Sequence, residues 1–408
     1  LRFLFVHQNF PGQFVHLLRH LVAQKSHEIV FVSEDNPNRM DGVRRVTYAR
    51  PADLGRSTFP VAAEFEIATV RAHAVSMVCR QVDRLGFVPD IVIGHHGWGE
   101  LLDIHDVWPG VPLLGYQEFF YRLEGLDVGF DPEFPTPVES LSRIRAKNAV
   151  NFLTLTNGGH SHTPTEFQRD TYPDWSKPSI SLLREGVDLE ACKPEPAIRK
   201  APFTLNNVTI TPKEKLVTYV SRDLEPYRGF HIMMRAIPRL LEARGDLRVI
   251  LVGGDGVSYG AQLSGGTWRE RMMGEVGNRI DLERVHFVGK LDYENYKRLL
   301  KRSDAHVYLT YPFVLSWSLR EALATGCAVV ASDTAPLREF ITHKRNGILT
   351  PFLEPDRLAD NILDVLEDRA LAGRLSKAAR RYAETHLRME DYLAGYETLI
   401  EDVIARRV

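Results

Sequence analysis

A chain of 408 residues is long enough for about two or three domains. Hydrophobic residues at 44% and charged residues at 25% are ordinary globular values, and a net charge of −2 argues against nucleic acid as a partner. The three cysteines, Cys79, Cys192 and Cys327, are far apart and odd in number, which suggests a reducing cytosol and no disulfide framework.

In chain order, residues 2–6 read as a first buried strand, too short for a signal peptide. Residues 28–32, 91–94 and 112–116 read as further strands, and 13–23 and 63–85 as helices. This alternation argues for a parallel sheet covered on both faces. The segment 184–196 has a glycine and two prolines and reads as a linker. The alternation then restarts. Strands are expected at 215–220, 248–253, 285–288, 306–309 and 328–331. Helices are expected at 229–244, 293–302, 319–325 and 358–367, and 375–408 reads as largely helical. No apolar run approaches the roughly 20 residues of a membrane span. Ligands of such sheets bind at the carboxyl ends of the strands, so the chemistry is sought in the loops there.

Five constellations stand at such ends. HQNFPGQF (7–14) turns through Gly12, where backbone can approach a ligand; an ordinary turn is the plain alternative. DIVIGHHGWG (90–99) sets His95 and His96 at a strand end as acid/base groups, or simply as hydrogen-bonded histidines. Adjacent side chains on a strand point opposite ways, so one shared metal is awkward. GYQEFFYR (115–122) offers Tyr116 and Tyr121 for stacking on a sugar and Glu118 to hold a hydroxyl or a proton, or a core beneath a long loop. SRDLEPYRG (221–229) brackets a strand-to-helix turn with Arg222 and Arg228, whose forks suit phosphate oxygens. VGGDG (252–256) brings Gly253 to a strand end without completing a dinucleotide fingerprint.

Residues 311–333, YPFVLSWSLREALATGCAVVASD, form the most telling stretch. A tight turn opens a helix, and backbone N–H groups at such a terminus seat a phosphate. Glu321, one turn in, is placed to accept hydrogen bonds from a sugar hydroxyl.

Together these motifs resemble the GT-B glycosyltransferases, and more closely the retaining family 4. The resemblance covers nearly the whole chain and is strongest over residues 215–333. It implies an α/β fold of two Rossmann-like, doubly wound parallel-sheet domains facing an interdomain cleft. Residues 1–185 would form an acceptor domain and 186–385 a nucleotide-sugar donor domain. Residues 386–408 would be a helix packing back toward the first.

The resemblance implies that Arg222 and Arg228 meet the donor diphosphate, Arg228 standing where the family has lysine. It implies donor contacts at Gly12, Gly253, Gly289, Leu291, Ser316, Trp317, Ser318 and Leu319, and a ribose contact at Glu321. The first glutamate of the family's Glu-x7-Glu motif is replaced by Phe313. Glu118 stands where the family often has histidine near the reaction centre, and is expected to orient acceptor or donor sugar or to trap a transient cation. Tyr116, Tyr121, His95 and His96 complete the expected acceptor side.

The implied activity is transfer of a hexose from a nucleoside diphosphate sugar, UDP before GDP, to a hydroxyl acceptor with retention. No cofactor is implied, and no persuasive Asp-x-Asp motif calls for a metal. A lipid-linked saccharide acceptor, cell-surface polysaccharide synthesis and a cytoplasmic site at the inner membrane face are further implications. A sugar-nucleotide epimerase and a non-catalytic sugar-nucleotide-binding protein stay open as alternatives.

Overall fold

The run RFLFV forms β1 (Arg2–Val6), buried after its first residue, as a strand covered on both faces must be. The computed structural model describes residues 1–49 and 59–406, which divide into two units: Leu1–Glu185 with Glu390–Val408, and Gly186–Met389.

In the first unit, β1 is followed by α1 (Val15–Ala23), β2 (Glu28–Ser33), β3 (Arg44–Thr47), α2 (Ala63–Arg84), β4 (Ile91–His95) and β5 (Leu113–Tyr116). Then come α3 (Leu141–Leu155), β6 (His160–Thr163), α4 (Glu166–Thr171) and β7 (Ile180–Leu182). The seven strands pair in the order β3-β2-β1-β4-β5-β6-β7, all parallel. The order reverses direction between β1 and β4. Loops leaving those strands diverge there and open a crevice at the carboxyl edge.

The second unit begins with a hairpin of β8 (Phe203–Leu205) and β9 (Val208–Ile210). It continues with β10 (Lys215–Asp223), α5 (Phe230–Ala243), β11 (Leu247–Gly254), α6 (Trp268–Val276), β12 (Val285–Phe287), α7 (Tyr293–Arg302) and β13 (Ala305–Tyr308). The remaining elements are α8 (Trp317–Ala324), β14 (Val329–Ser332), α9 (Ala335–Arg338), β15 (Ile348–Thr350), α10 (Pro355–Glu367) and α11 (Arg369–His386). Its six-stranded parallel sheet runs β12-β11-β10-β13-β14-β15, with the reversal between β10 and β13.

The last helix, α12 (Met389–Ile404), packs on the first unit, where the Tyr396 hydroxyl meets His162 Nε2 at 2.8 Å. Among the described residues no helix is long and apolar enough to cross a membrane.

Two expectations change. The segment 184–196 contains the boundary between the units, at Glu185–Gly186, but past it the chain is packed: Val187 bridges to Arg388, and Val187 and Cys192 are buried in the second unit's core. Apolar residues at 187, 189 and 192 give it a face to bury, which a tether lacks. Strands β3, β6, β7, β8, β9 and β15 were not expected. β6 reads HSHT, yet Ser161, His162 and Thr163 are all buried.

Candidate functional site

At the reversal point of the first sheet, the ends of β1 and β4 bring His7 and His95 edge to face, 5.6 Å between ring centroids. His95 is buried. Its Nδ1 accepts the Gly97 N–H at 2.9 Å, which leaves Nε2 to carry the proton. Nε2 lies 3.6 Å from Glu118 Oε2. The ring stacks on Trp98 at 5.6 Å and tilts against Tyr116 at 5.3 Å.

Burial acts to raise the Glu118 pKa, but His95 beside it, with His7 and Lys147, outweighs burial and holds the carboxyl below its ordinary value. Burial, with His95 beside it, brings His7 down to about 3, so its ring is neutral near pH 7. Gly12 has φ +55°, and a Cβ there would come within 2.8 Å of His7 Nδ1. Gly12, His7, His95, Trp98, Tyr116 and Glu118 thus belong to one cluster of rings around one carboxylate.

Two expected acceptor residues sit differently. His96 is fully buried, and a Cβ on Gly115 would fall 1.7 Å from its Nε2. Burial brings its pKa to about 3, and the ring is core that presents nothing to an acceptor. Tyr121 is covered by the Lys147 ammonium, 3.9 Å from its ring centroid, and its backbone is bonded on both sides to the Asn148 amide. His7 and Trp98 were legible as residues but not as partners of His95. Their signal is position, each within four residues of a strand end at the reversal.

In the second unit, the loops after β10, β11, β12 and β13 are tied together. Leu224 N–H donates to Gly254 O at 2.8 Å, Gly253 N–H to Gly289 O at 3.1 Å, and Tyr311 N–H to Tyr227 O at 3.0 Å. Arg222 is exposed beside this junction. The neighbouring Asp223 carboxylate accepts from Ser258 Oγ at 2.5 Å and pairs with Lys290 at 3.1 Å. Burial acts to raise its pKa, but these two partners lower it on balance. Glu225 is fully buried and accepts backbone N–H groups from Ser258, Tyr259 and Gly260, at 3.1, 3.2 and 2.8 Å. A carboxylate seated on three amides pins that loop, and no sequence pattern announced it.

Arg228 departs from expectation. It is 7% exposed, and its Nη1 donates to Thr310 Oγ1 at 2.8 Å and to Val314 O at 3.0 Å. Its guanidinium lies 4.8 Å from the Tyr259 ring centroid. It therefore clamps the β10 and β13 loops to each other, and Arg222 is the guanidinium of the pair left facing outward. Phe313 is buried too, edge-on to Tyr227 and Tyr259 at 5.3 Å each.

At the start of α8, Ser316 N–H donates to the Tyr308 hydroxyl at 2.9 Å, and Ser316 Oγ lies 2.5 Å from Ser318 Oγ. The Ser316 hydroxyl does not cap the helix, so the first-turn amides receive no side-chain cap. Trp317 and Ser318 are half-buried; Leu319 is core, and so contributes backbone alone. Leu291 likewise packs against the core, while Gly289 turns with φ +68°.

The Glu321 carboxylate accepts from Tyr293 at 2.9 Å and Tyr296 at 2.8 Å. Burial raises its pKa, opposed by these two hydroxyls. Two tyrosines at i and i+3 of α7 are the signal the sequence reading passed over.

Residues 25–192 match the family described as Glycosyl transferase family 4 group, and residues 203–382 match Glycosyl transferases group 1. The chain belongs with the GT-B-fold glycosyltransferases related to family 4. A glycogen synthase of Mycobacterium tuberculosis is 27% identical over 202 residues, covering 50% of this chain and 43% of that protein. The chain spans about half the length, or less, of such curated relatives. The GT-B fold extends over the whole chain. A sucrose-phosphate synthase of Thermosynechococcus elongatus superposes with a TM-score of 0.76 at 18% identity, covering 99% of each chain. The Anabaena protein HepE in complex with UDP-glucose superposes with a TM-score of 0.66 at 17% identity, covering 98% of this chain and 99% of that one.

Proposed function

We propose that this chain transfers a hexose from a nucleoside diphosphate sugar to a hydroxyl acceptor, with retention at the anomeric carbon. The observation that carries this reading is the exposed Arg222 side chain near the carboxyl end of β10, at the reversal point of the second sheet, just before the loop that Arg228 clamps to the approach to α8. Departure of the nucleoside diphosphate puts negative charge on its terminal phosphate. Arg222 and the first-turn amides near Ser318 supply the donors that stabilise that charge in this reading. A donor phosphate oxygen takes the acceptor proton on the face the leaving group departs from, which accounts for retention.

Glu118, held ionised by His95, orients the acceptor or steadies positive charge developing on the sugar. In the first unit Gly12, His95 and Tyr116 surround this group, and in the second Gly253, Gly289 and Glu321 take the nucleotide. UDP is favoured over GDP because the fold neighbour HepE is in complex with UDP-glucose. The acceptor is a saccharide hydroxyl, a lipid-linked one included, with contact at a membrane surface in that case.

The deciding experiment follows release of nucleoside diphosphate from a panel of UDP- and GDP-sugars, with and without saccharide acceptors, and determines the anomeric configuration of the product by NMR. Acceptor-dependent release and a retained anomer are expected. Donor conversion without acceptor would replace this reading with an epimerase. Nucleotide binding without turnover would replace it with a binding protein. Unchanged donor affinity and activity in Arg222→Ala would remove Arg222 from the site.

A further inference from the structure

At the opposite end of the second sheet lies a cavity of about 700 Å³ that the donor reading does not use. It is walled by the segment from Pro194 to Arg199, by Glu214 and Lys215 at the start of β10, by Asp304 before β13, and by one face of α11. Strand β10 has nine residues, so at roughly 3.3 Å per residue this cavity is about 25 Å from Asp223.

The lining is strongly cationic. Arg369, Gly373, Lys377 and Arg381 recur every fourth residue on α11 and so share one face, which turns to the cavity. The acidic groups of the wall are already engaged. Glu214 pairs with Arg248 at 2.6 Å, Asp304 with Arg302 at 2.8 Å, and Glu384 with Arg380 at 2.7 Å. Arg369, Lys377 and Arg381 are exposed and have no ion-pair or hydrogen-bond partner for their side chains among the described residues.

Behind them Arg302 is 1% exposed, and its Nε has no hydrogen-bond partner among the described residues. A concave wall that gathers unpaired cations focuses positive potential and draws anions. Arginine forks and a mobile ammonium are the usual means of holding phosphate oxygens. The volume suits a small molecule rather than a bare ion.

We propose that this cavity is a second ligand site, separate from the donor site, that binds a small phosphorylated molecule through Arg369, Lys377 and Arg381. Gly373 sits in the middle of that face, and a Cβ there would meet nothing within 4 Å. It leaves the floor open for the ligand, where any longer side chain would project between the cations.

The test is thermal unfolding of the full chain with inorganic pyrophosphate, in an Arg222→Ala background that weakens the donor site, with the cavity variants below deciding which site reports. Pyrophosphate is expected to raise the Tm of this variant in a saturable way, as any ligand of the folded state does. Adding Gly373→Glu puts a carboxylate among the cations while replacing glycine by a better helix former, so the chain keeps its fold. It is expected to weaken the apparent affinity at least ten-fold with an undiminished ligand-free Tm. Should that variant fail to fold, Lys377→Gln with Arg381→Gln, both on exposed side chains, is expected to give the same loss. No shift in the Arg222→Ala chain, an equal shift from chloride at matched ionic strength, or an undiminished shift in the folded cavity variants would each overturn the proposal. The donor reading stands or falls separately, on diphosphate release by the unmodified chain.

Discussion

The hydroxyl of Tyr296 donates to Glu321 Oε2 at 2.8 Å, so the glutamate expected to hold a ribose is first held by the protein. Tyr296 is 9% exposed, and its loss would leave a poorly hydrated carboxylate short of a donor. Tyr296→Phe is expected to cost about 2 kcal/mol in urea unfolding, the scale of a hydrogen bond to a charged group.

The same carboxyl predicts a pH dependence. Burial lifts its folded pKa above the ordinary 4.5, so above pH 4.5 the folded chain binds more protons at this site than the unfolded chain. Its contribution to stability therefore falls as pH rises from 4.5 through the folded pKa, and is then flat. Glu321→Gln removes the titration. The difference in unfolding free energy between wild type and variant, measured across that window, should drop with rising pH and level off. A difference that rises with pH would contradict the assignment.

Glu118 has the opposite sign. His95 keeps its folded pKa below 4.5 against the pull of burial, so the carboxylate persists to lower pH than usual and is lost only as pH falls through that depressed value. If ionised Glu118 serves turnover, its acid limb lies below pH 4.5. His95→Ala should move that limb upward in a kcat–pH profile. Glu118→Gln should lower kcat by about 10²-fold, a usual scale for a positioned acid or base, with donor affinity retained.

The two arginines at the exit of β10 should separate cleanly. Arg228→Lys forfeits the buried guanidinium whose Nη1 holds both Thr310 and Val314, and is expected to destabilise the chain by about 2–3 kcal/mol in denaturant unfolding. Arg222→Ala, on an exposed side chain, should stay within about 0.5 kcal/mol of wild type while donor affinity falls about 10-fold or more.

Gly115 and His96 form a lock and its filling. Gly115→Ala drives a methyl group into the imidazole and should cost about 3 kcal/mol or leave the protein insoluble. His96→Ala in the same chain opens room for that methyl. The double variant should therefore be more stable than the sum of the two single losses, which a double-mutant cycle measures.

Much of the fold was legible because its strands are long apolar runs. β1, β4, β10 and β11 announce themselves, and their glycine-bearing exits locate the reversal points. β6 was not legible, because HSHT reads as loop until Tyr396, far along the chain, supplies a partner for His162. In the site, residue types at strand ends were readable, but not which way each side chain turns. Arg222 and Arg228 stand six residues apart and share a charge, yet one is exposed at the end of β10 and the other is a buried clamp. Phe313 read only as a missing glutamate; the ring that encloses it with Tyr227 and Tyr259 depends on contacts from three loops. The tyrosines on Glu321 come from the neighbouring α7, and a linear motif cannot display that.

The pairing of Val187 with Arg388 bears on how the chain is connected. Val187 N–H donates to Leu387 O at 2.8 Å, so the first and last turns of the second unit run side by side. That unit is one uninterrupted stretch, Gly186–Met389, spliced into the sequence of the first. Two covalent crossings thus join the halves at neighbouring points. A protease that nicks the first crossing leaves the second unit joined covalently only to α12, and one that nicks the second leaves it joined only to residues 1–185.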